Sequence, residues 1–134
     1  MSIVDLLESL PNGLHDAKLH SIDIDYVGRT ANLDLDVWIG DMSQQGPARE
    51  AYRHGRLTVS GLVYLVMEPP DSRYAFNQSK PLRIEFGIGK LAPEACRCTL
   101  PTELPDAAFA FWLYVTNWNS FIHVACTQVT LELS

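Results

Sequence analysis

Hydrophobic and polar residues change period along this chain, and the changes divide it. Over residues 3–10 the apolar positions Ile3, Leu6, Leu7 and Leu10 recur at helical spacing on one face. Ser2 precedes them as an N-cap with Asp5 three residues on. Pro11-Asn12-Gly13 follows as a stop, because proline lacks the amide donor and glycine accepts left-handed backbone. This predicts a short helix that must pack on something to persist. From Ala17 the period falls to two. Residues 18–27 and 30–39 flank Gly28-Arg29, a Gly-X pair suited to a two-residue hairpin turn. That turn predicts Ile24 opposite Leu33, Ile22 opposite Leu35 and Tyr26 opposite Ala31, all on one face, in agreement with the hydrophobic pattern.

Residues 41–54 contain Gly46-Pro47 and show no period, which predicts a long loop with a helical turn at 48–53. Residues 56–67 are β-branched and apolar on both faces toward their end, the pattern of a central strand covered on both sides. Pro69-Pro70 ends that strand, and the stretch to Pro81 is a second loop. Leu82, Ile84, Phe86 and Ile88 alternate with Arg83 and Glu85 as a half-exposed strand. Residues 90–107, with Pro93, Pro101 and Pro105, are irregular. Residues 108–133 predict a second hairpin, turning at Asn117-Trp118-Asn119-Ser120. A helix over 106–116 is the rival reading, and the Phe-Trp-Tyr-Val content favours strand. The expected fold is mainly β: a single antiparallel β-sandwich or partly open barrel of about six strands, with a short N-terminal helix. One β-rich domain spans residues 1–134.

Composition narrows the partners. Sixteen acids against ten Lys and Arg give a formal charge of −6, which argues against binding nucleic acid through clustered basic residues. No apolar run reaches membrane-spanning length, and Met1-Ser2-Ile3-Val4-Asp5 lacks the basic and apolar segments of a signal peptide. A cytoplasmic protein with no membrane association is expected.

The candidate chemistry lies mostly on the first hairpin. Its expected register places Asp23 opposite Asp34, with Asp25 and Asp36 on the same outer face. Carboxylates about 5 Å apart repel by roughly 1–3 kcal/mol, so something should offset them. Interleaved Lys18, Arg29 or Arg83 would do so, as would a basic partner protein. A hard cation is disfavoured, because a flat strand face spreads carboxylates instead of wrapping an ion. Trp38 falls on the same face opposite Leu19, either as an interface anchor or beneath a covering segment. Asp23, Asp25, Asp34, Asp36 and Trp38 are therefore the candidate binding surface. Trp112, Tyr114 and His123 share one face of the second hairpin and are the candidate lining of a ligand cavity, with second-layer packing the commoner alternative.

Other motifs carry less. His15-Asp16 is compatible with a turn, and catalysis there would require both residues and the 41–54 loop to share one cleft. Cys96-Arg97-Cys98 and Cys126 read as free thiols in a reducing compartment. A Cys₃His zinc site with His123 is arithmetically available, but its cysteine spacing is tighter than usual for structural zinc. Gly87-Ile88-Gly89-Lys90 lacks the flanking glycines of a phosphate loop. No catalytic residue, metal or cofactor is expected.

Two stretches carry a resemblance. They are Leu10-Pro11-Asn12-Gly13-Leu14-His15-Asp16-Ala17 running into Leu33-Asp34-Leu35-Asp36-Val37-Trp38, and the closing Asn117-Trp118-Asn119-Ser120-Phe121-Ile122-His123. Together they resemble a group of small, mostly β, functionally uncharacterised bacterial proteins. More distantly, the His-Asp-Ala entry to an acidic hairpin is similar to predicted immunity proteins of polymorphic toxin systems. That resemblance implies a non-enzymatic protein that binds and blocks a toxin, here a basic one, and it assigns no catalytic residues. A small-molecule-binding β-barrel or sandwich is the alternative. A homodimer is left open.

Overall fold

The structure, a computed structural model, describes residues 2–41, 43–76, 78 and 81–134. Parts of both expected loops, at residue 42 and at residues 77, 79 and 80, and the Met1 of the N-terminal reading lie outside the described residues. The helix α1 (Ile3–Glu8) forms as its pattern predicts: the Ser2 hydroxyl accepts the Asp5 amide, and Ile3 and Leu6 are buried. Gly13 takes φ +56° after the helix. The Asn12 side chain then donates to the carbonyls of Trp38 and Gly40, tying the helix exit to the far end of the first hairpin.

Eight strands follow: β1 (Ala17–Asp25), β2 (Thr30–Trp38), β3 (Tyr52–Ser60), β4 (Tyr64–Met67), β5 (Leu82–Ile88), β6 (Phe109–Val115), β7 (Ser120–Cys126) and β8 (Gln128–Leu133). They form one open antiparallel sheet in the order β4-β7-β6-β5-β1-β2-β3-β8. Two runs expected as continuous strands bend at corners. The strand expected over 56–67 breaks at Gly61, dividing β3 from β4, and the return strand of the second hairpin breaks at Thr127 into β7 and β8. The corners coincide, with the Thr127 amide donating to Ser60 and the Val63 amide to Ala125. The described residues form eight strands where about six were expected, in one open antiparallel sheet that the expected sandwich or partly open barrel only approximates. Its inner face closes on one core that includes Leu33, Leu35, Leu57, Ile84, Phe111, Leu113 and Val129, with α1 packed against it.

Gly61 is required at the corner. It holds φ +60°, and a Cβ there would sit 1.9 Å from the Thr127 hydroxyl. Gly61→Ala is therefore expected to destabilise the fold by about 2 kcal/mol or more; urea denaturation with an unchanged midpoint would contradict the corner's role.

The first hairpin pairs differently from its expected register. Its turn spans 26–29 instead of Gly28-Arg29 alone, so Ile24 faces Ala31 and Ile22 faces Leu33. Asp23 consequently faces Asn32, not Asp34. The two-residue slip preserves which side each residue occupies, so the alternating pattern could not expose it. Ser21 faces Asp34 in this same register, and a bulge between Leu19 and Ser21 then shifts the pairing by one, placing Lys18 opposite Asp36 and Leu19 opposite Leu35; Leu19, expected on the outer face opposite Trp38, therefore lies in the core. The helical turn in the first loop also moves, to a 3-10 turn at Gly46–Ala48, and β3 begins already at Tyr52. Residues 109–115 are strand β6, as the aromatic content indicated.

Candidate functional site

The outer face of β1, β2 and β3 gathers the acidic residues and supplies their counter-charges. Asp34 is flanked by Ser21 and Arg56, and Asp36 by Lys18 and His54. His20 Nε2 lies 2.9 Å from Asp36 Oδ2, and His54 Nε2 lies 2.7 Å from Asp34 Oδ1. His54 Nδ1 is also 3.3 Å from Asp36 Oδ1, so one imidazole bridges two carboxylates. Of the interleaved cations expected from the sequence, Lys18 is beside Asp36; the other neighbours are Arg56 and the two histidines. Arg29 instead donates to the carbonyls of Leu62 and Val63 at the sheet corner, and Arg83 pairs with Asp16.

Partial burial pushes the Asp36 carboxyl up, but hydrogen bonds from His20 and His54 outweigh it and hold the group below its usual range. A carboxyl depressed in the folded state stabilises the fold above its unfolded value of about 4 and loses that contribution as pH falls through the folded value. Asp36→Asn should therefore flatten the acid limb of stability below about pH 4. Denaturation midpoints measured against pH check this; parallel profiles for the two proteins would contradict it.

Trp38 is on the outer face, as predicted, but it is covered. The residue is 8% exposed, its indole N–H donates to the Arg49 carbonyl at 2.7 Å, and the Ile39 amide bonds Ala51. The loop after β2 folds back because Gly40 permits it: a Cβ there would meet the Arg49 carbonyl at 2.0 Å. Trp38 thus seats the loop and offers little area to a partner.

The remaining acids differ from the paired ones. β5 pairs with β1 only at residues 17–19, so residues 21–25 pair with β2 alone among the described residues. This half of the hairpin projects. Asp23 and Asp25 are exposed, as are Ile24, Tyr26 and Val27, with Tyr26 76% and Val27 90% accessible. The Asp25 carboxylate accepts the Gly28 amide, and the Arg29 guanidinium lies 5.2 Å from the Tyr26 ring, so the tip has a defined shape.

His15 and Asp16 do share a shallow cleft of about 420 Å³ with Arg49, Glu50, Tyr52 and Arg83. Several of its polar groups pair with one another. Arg83 donates to Asp16 at 2.6 Å, His15 Nδ1 lies 2.6 Å from Glu85 Oε2, and the Tyr52 hydroxyl donates to the Asp16 carbonyl. Among the described residues no serine, threonine or cysteine lines the cleft.

On the opposite side of the sheet, Trp112, Tyr114 and His123 share the outer face of β6 and β7. They pack around Phe121, at ring separations of 5.4, 4.9 and 6.0 Å, and not around a hollow. Trp112 lies flat across Gly87, where a Cβ would stand 1.9 Å from its ring. An apolar cavity of about 440 Å³ lies elsewhere, between Leu19, Ile22, Leu82, Val115, Trp118 and Ile122.

His123 has a partner the sequence did not single out. Glu68, directly after β4, has a fully buried side chain. Its carboxylate lies 3.0 Å from His123 Nε2 and accepts the amides of Arg97 and Phe121. Burial pushes this carboxyl up, but those donors outweigh it and leave it below the usual range. The signal was a lone acid closing an apolar strand just before Pro69-Pro70. Cys98 Sγ is 3.9 Å from the same carboxylate. Cys126 points into the core, and burial pushes its thiol up to about 11. The Cys₃His set is therefore not brought together.

Fold and surface define a small protein of one curled antiparallel sheet, with no helix among the described residues long and apolar enough to cross a membrane. No family model and no curated protein matches the chain. Among solved structures it is similar to an uncharacterized protein from Neisseria gonorrhoeae, at 12% identity and a TM-score of 0.46, covering 88% of this chain and 91% of that one.

Proposed function

We propose that this is a non-enzymatic protein-binding domain whose contact surface is the projecting half of the first hairpin, and that it acts as an immunity-type inhibitor of a basic toxin. The observation that carries the reading is the tip itself. Ile24, Tyr26 and Val27 expose apolar area on a strand pair supported on one side only, and Asp23 and Asp25 flank them without a basic ion-pair partner among the described residues. Aromatic anchors rimmed by one sign of charge supply affinity at the centre and steering at the edge. Asp34 and Asp36 face the same way but are engaged by His54 and His20, so they add field more than contact.

The test is Asp23→Lys combined with Asp25→Asn, the amide keeping an acceptor for the Gly28 N–H. Wild-type protein should capture a cationic protein from its source cells, with an association rate that falls as salt rises. The variant should lose that capture at least tenfold while its melting temperature stays put. Equal capture by both proteins would refute the reading.

A second reading rests on the apolar cavity. Trp118 borders it, and the Trp118 indole N–H is buried with no acceptor among the described residues. An apolar molecule carrying one carbonyl or carboxylate would satisfy both features. Quenching of tryptophan fluorescence by a medium-chain fatty acid, lost in Trp118→Phe, would favour it; no quenching would remove it.

A further inference from the structure

Three groups of metal-ligating side chains converge on this molecule: His20 with Asp36 and His54, His15 with Asp16 and Glu85, and Glu68 with Cys98 and His123. The first two are on the surface and contain no thiol. The third differs in every respect. Its donors come from separate chain segments: the residue after β4, strand β7, and the loop following the 3-10 turn at Pro93–Ala95. The Glu68 side chain is wholly buried and that of His123 is 2% exposed, yet their ligand atoms and Cys98 Sγ all lie within 4.8 Å of one another.

We propose that Glu68, His123 and Cys98 bind a divalent transition metal of the Zn²⁺ type, with a water molecule completing the tetrahedron. Zinc bonds of about 2.0–2.3 Å to nitrogen, oxygen and sulfur separate tetrahedral donors by roughly 3.3–3.8 Å. Glu68 Oε2 stands 3.0 Å from His123 Nε2 and 3.9 Å from Cys98 Sγ, distances that bracket that range.

Access and charge balance agree with the assignment. Both cysteines line an open cavity of about 610 Å³ together with Leu91 and Leu100, so an ion can reach the sulfurs without unfolding the sheet. Glu68 Oε1 is held by the Phe121 amide and lies 3.6 Å from Arg97 Nε, while Oε2 accepts the Arg97 amide at 2.8 Å and also faces His123 Nε2 and Cys98 Sγ. Metal entry expels the Cys98 thiol proton to solvent, and the ring hydrogen of His123 moves from Nε2 to Nδ1. One thiolate and one carboxylate then neutralise the dication. The arrangement joins β4, β7 and the Cys96–Cys98 loop, and it is independent of the hairpin tip.

The experiment uses the reduced full-length protein titrated with Co²⁺ and then Zn²⁺. One equivalent of Co²⁺ should produce a thiolate-to-cobalt charge-transfer band with tetrahedral visible absorption, displaced by Zn²⁺. Cys98→Ser should lower Zn²⁺ affinity about 10- to 100-fold and remove both the charge-transfer band and the Zn²⁺-dependent rise in melting temperature. Cys126→Ser should change none of this. The proposal is overturned by the absence of a charge-transfer band in wild type, or by a band and affinity that survive Cys98→Ser.

Discussion

Replacing Glu68 by alanine is expected to cost the metal-free protein about 3–5 kcal/mol of stability, the range for removing one partner from a buried charged network. The size follows from what the carboxylate serves. The amides of Arg97 and Phe121 and the His123 ring all hydrogen-bond to it, and none of the three can turn to solvent without moving β7 or the loop beside it. Alanine leaves these groups unpaired, each at a desolvation cost of about 1–3 kcal/mol. Glu68→Gln should fall between wild type and Glu68→Ala, since the amide keeps one acceptor but turns a donor toward groups that already donate. Chemical denaturation distinguishes these outcomes; Glu68→Ala within about 1 kcal/mol of wild type would show that the network carries little.

The second large effect concerns binding. Truncating Tyr26 to alanine is expected to weaken the proposed partner complex by about 2 kcal/mol, or roughly 30-fold, and Tyr26→Ala with Val27→Ala by more. Both side chains are largely solvent-exposed in the free protein, so their truncation removes contact area without opening the core. The loss should appear in the dissociation rate, whereas changes at Asp23 and Asp25 should appear mainly in the association rate and its salt dependence. Surface plasmon resonance on the captured partner separates the two. Dissociation rates equal within twofold for wild type and Tyr26→Ala would place the contact elsewhere.

Local pattern was enough to find the helix, the hairpins and the side of most strand residues, because those follow from spacing; it misplaced Leu19, which the bulge turns from the outer face into the core. It was not enough to locate Asp23 relative to Asp34. A two-residue slip keeps inside residues inside, so only the turn could reveal it, and the turn at 26–29 holds its positive φ at Arg29, not at glycine. The corner at Gly61 was equally hidden, since Leu57 and Val59 before it and Leu62 after it are all buried. The exposure of Trp38 depended on the loop residue Arg49, whose carbonyl takes the indole hydrogen bond, and no spacing rule predicts that contact. Glu68 was passed over for a related reason. Its meaning comes from Phe121, His123 and Arg97, which join it only after β4 and β7 pair.

Asp34 and Asp36 illustrate how structure redistributes a charge argument. As sequence they look like unrelieved repulsion; in the sheet His54 bridges them and His20 meets Asp36, and the acids of this hairpin without an ion-pair partner among the described residues are Asp23 and Asp25. The proposed contact surface therefore lies nearer the tip of the hairpin than its middle.

The most direct test of that placement is site-specific photocrosslinking in the source cells, with a photoreactive phenylalanine at position 26 and, as control, at the exposed Ile88. Position 26 should yield one discrete crosslinked product containing a basic protein, and position 88 should not. A product formed from position 88 and absent from position 26 would contradict the assignment of the hairpin tip as the binding surface.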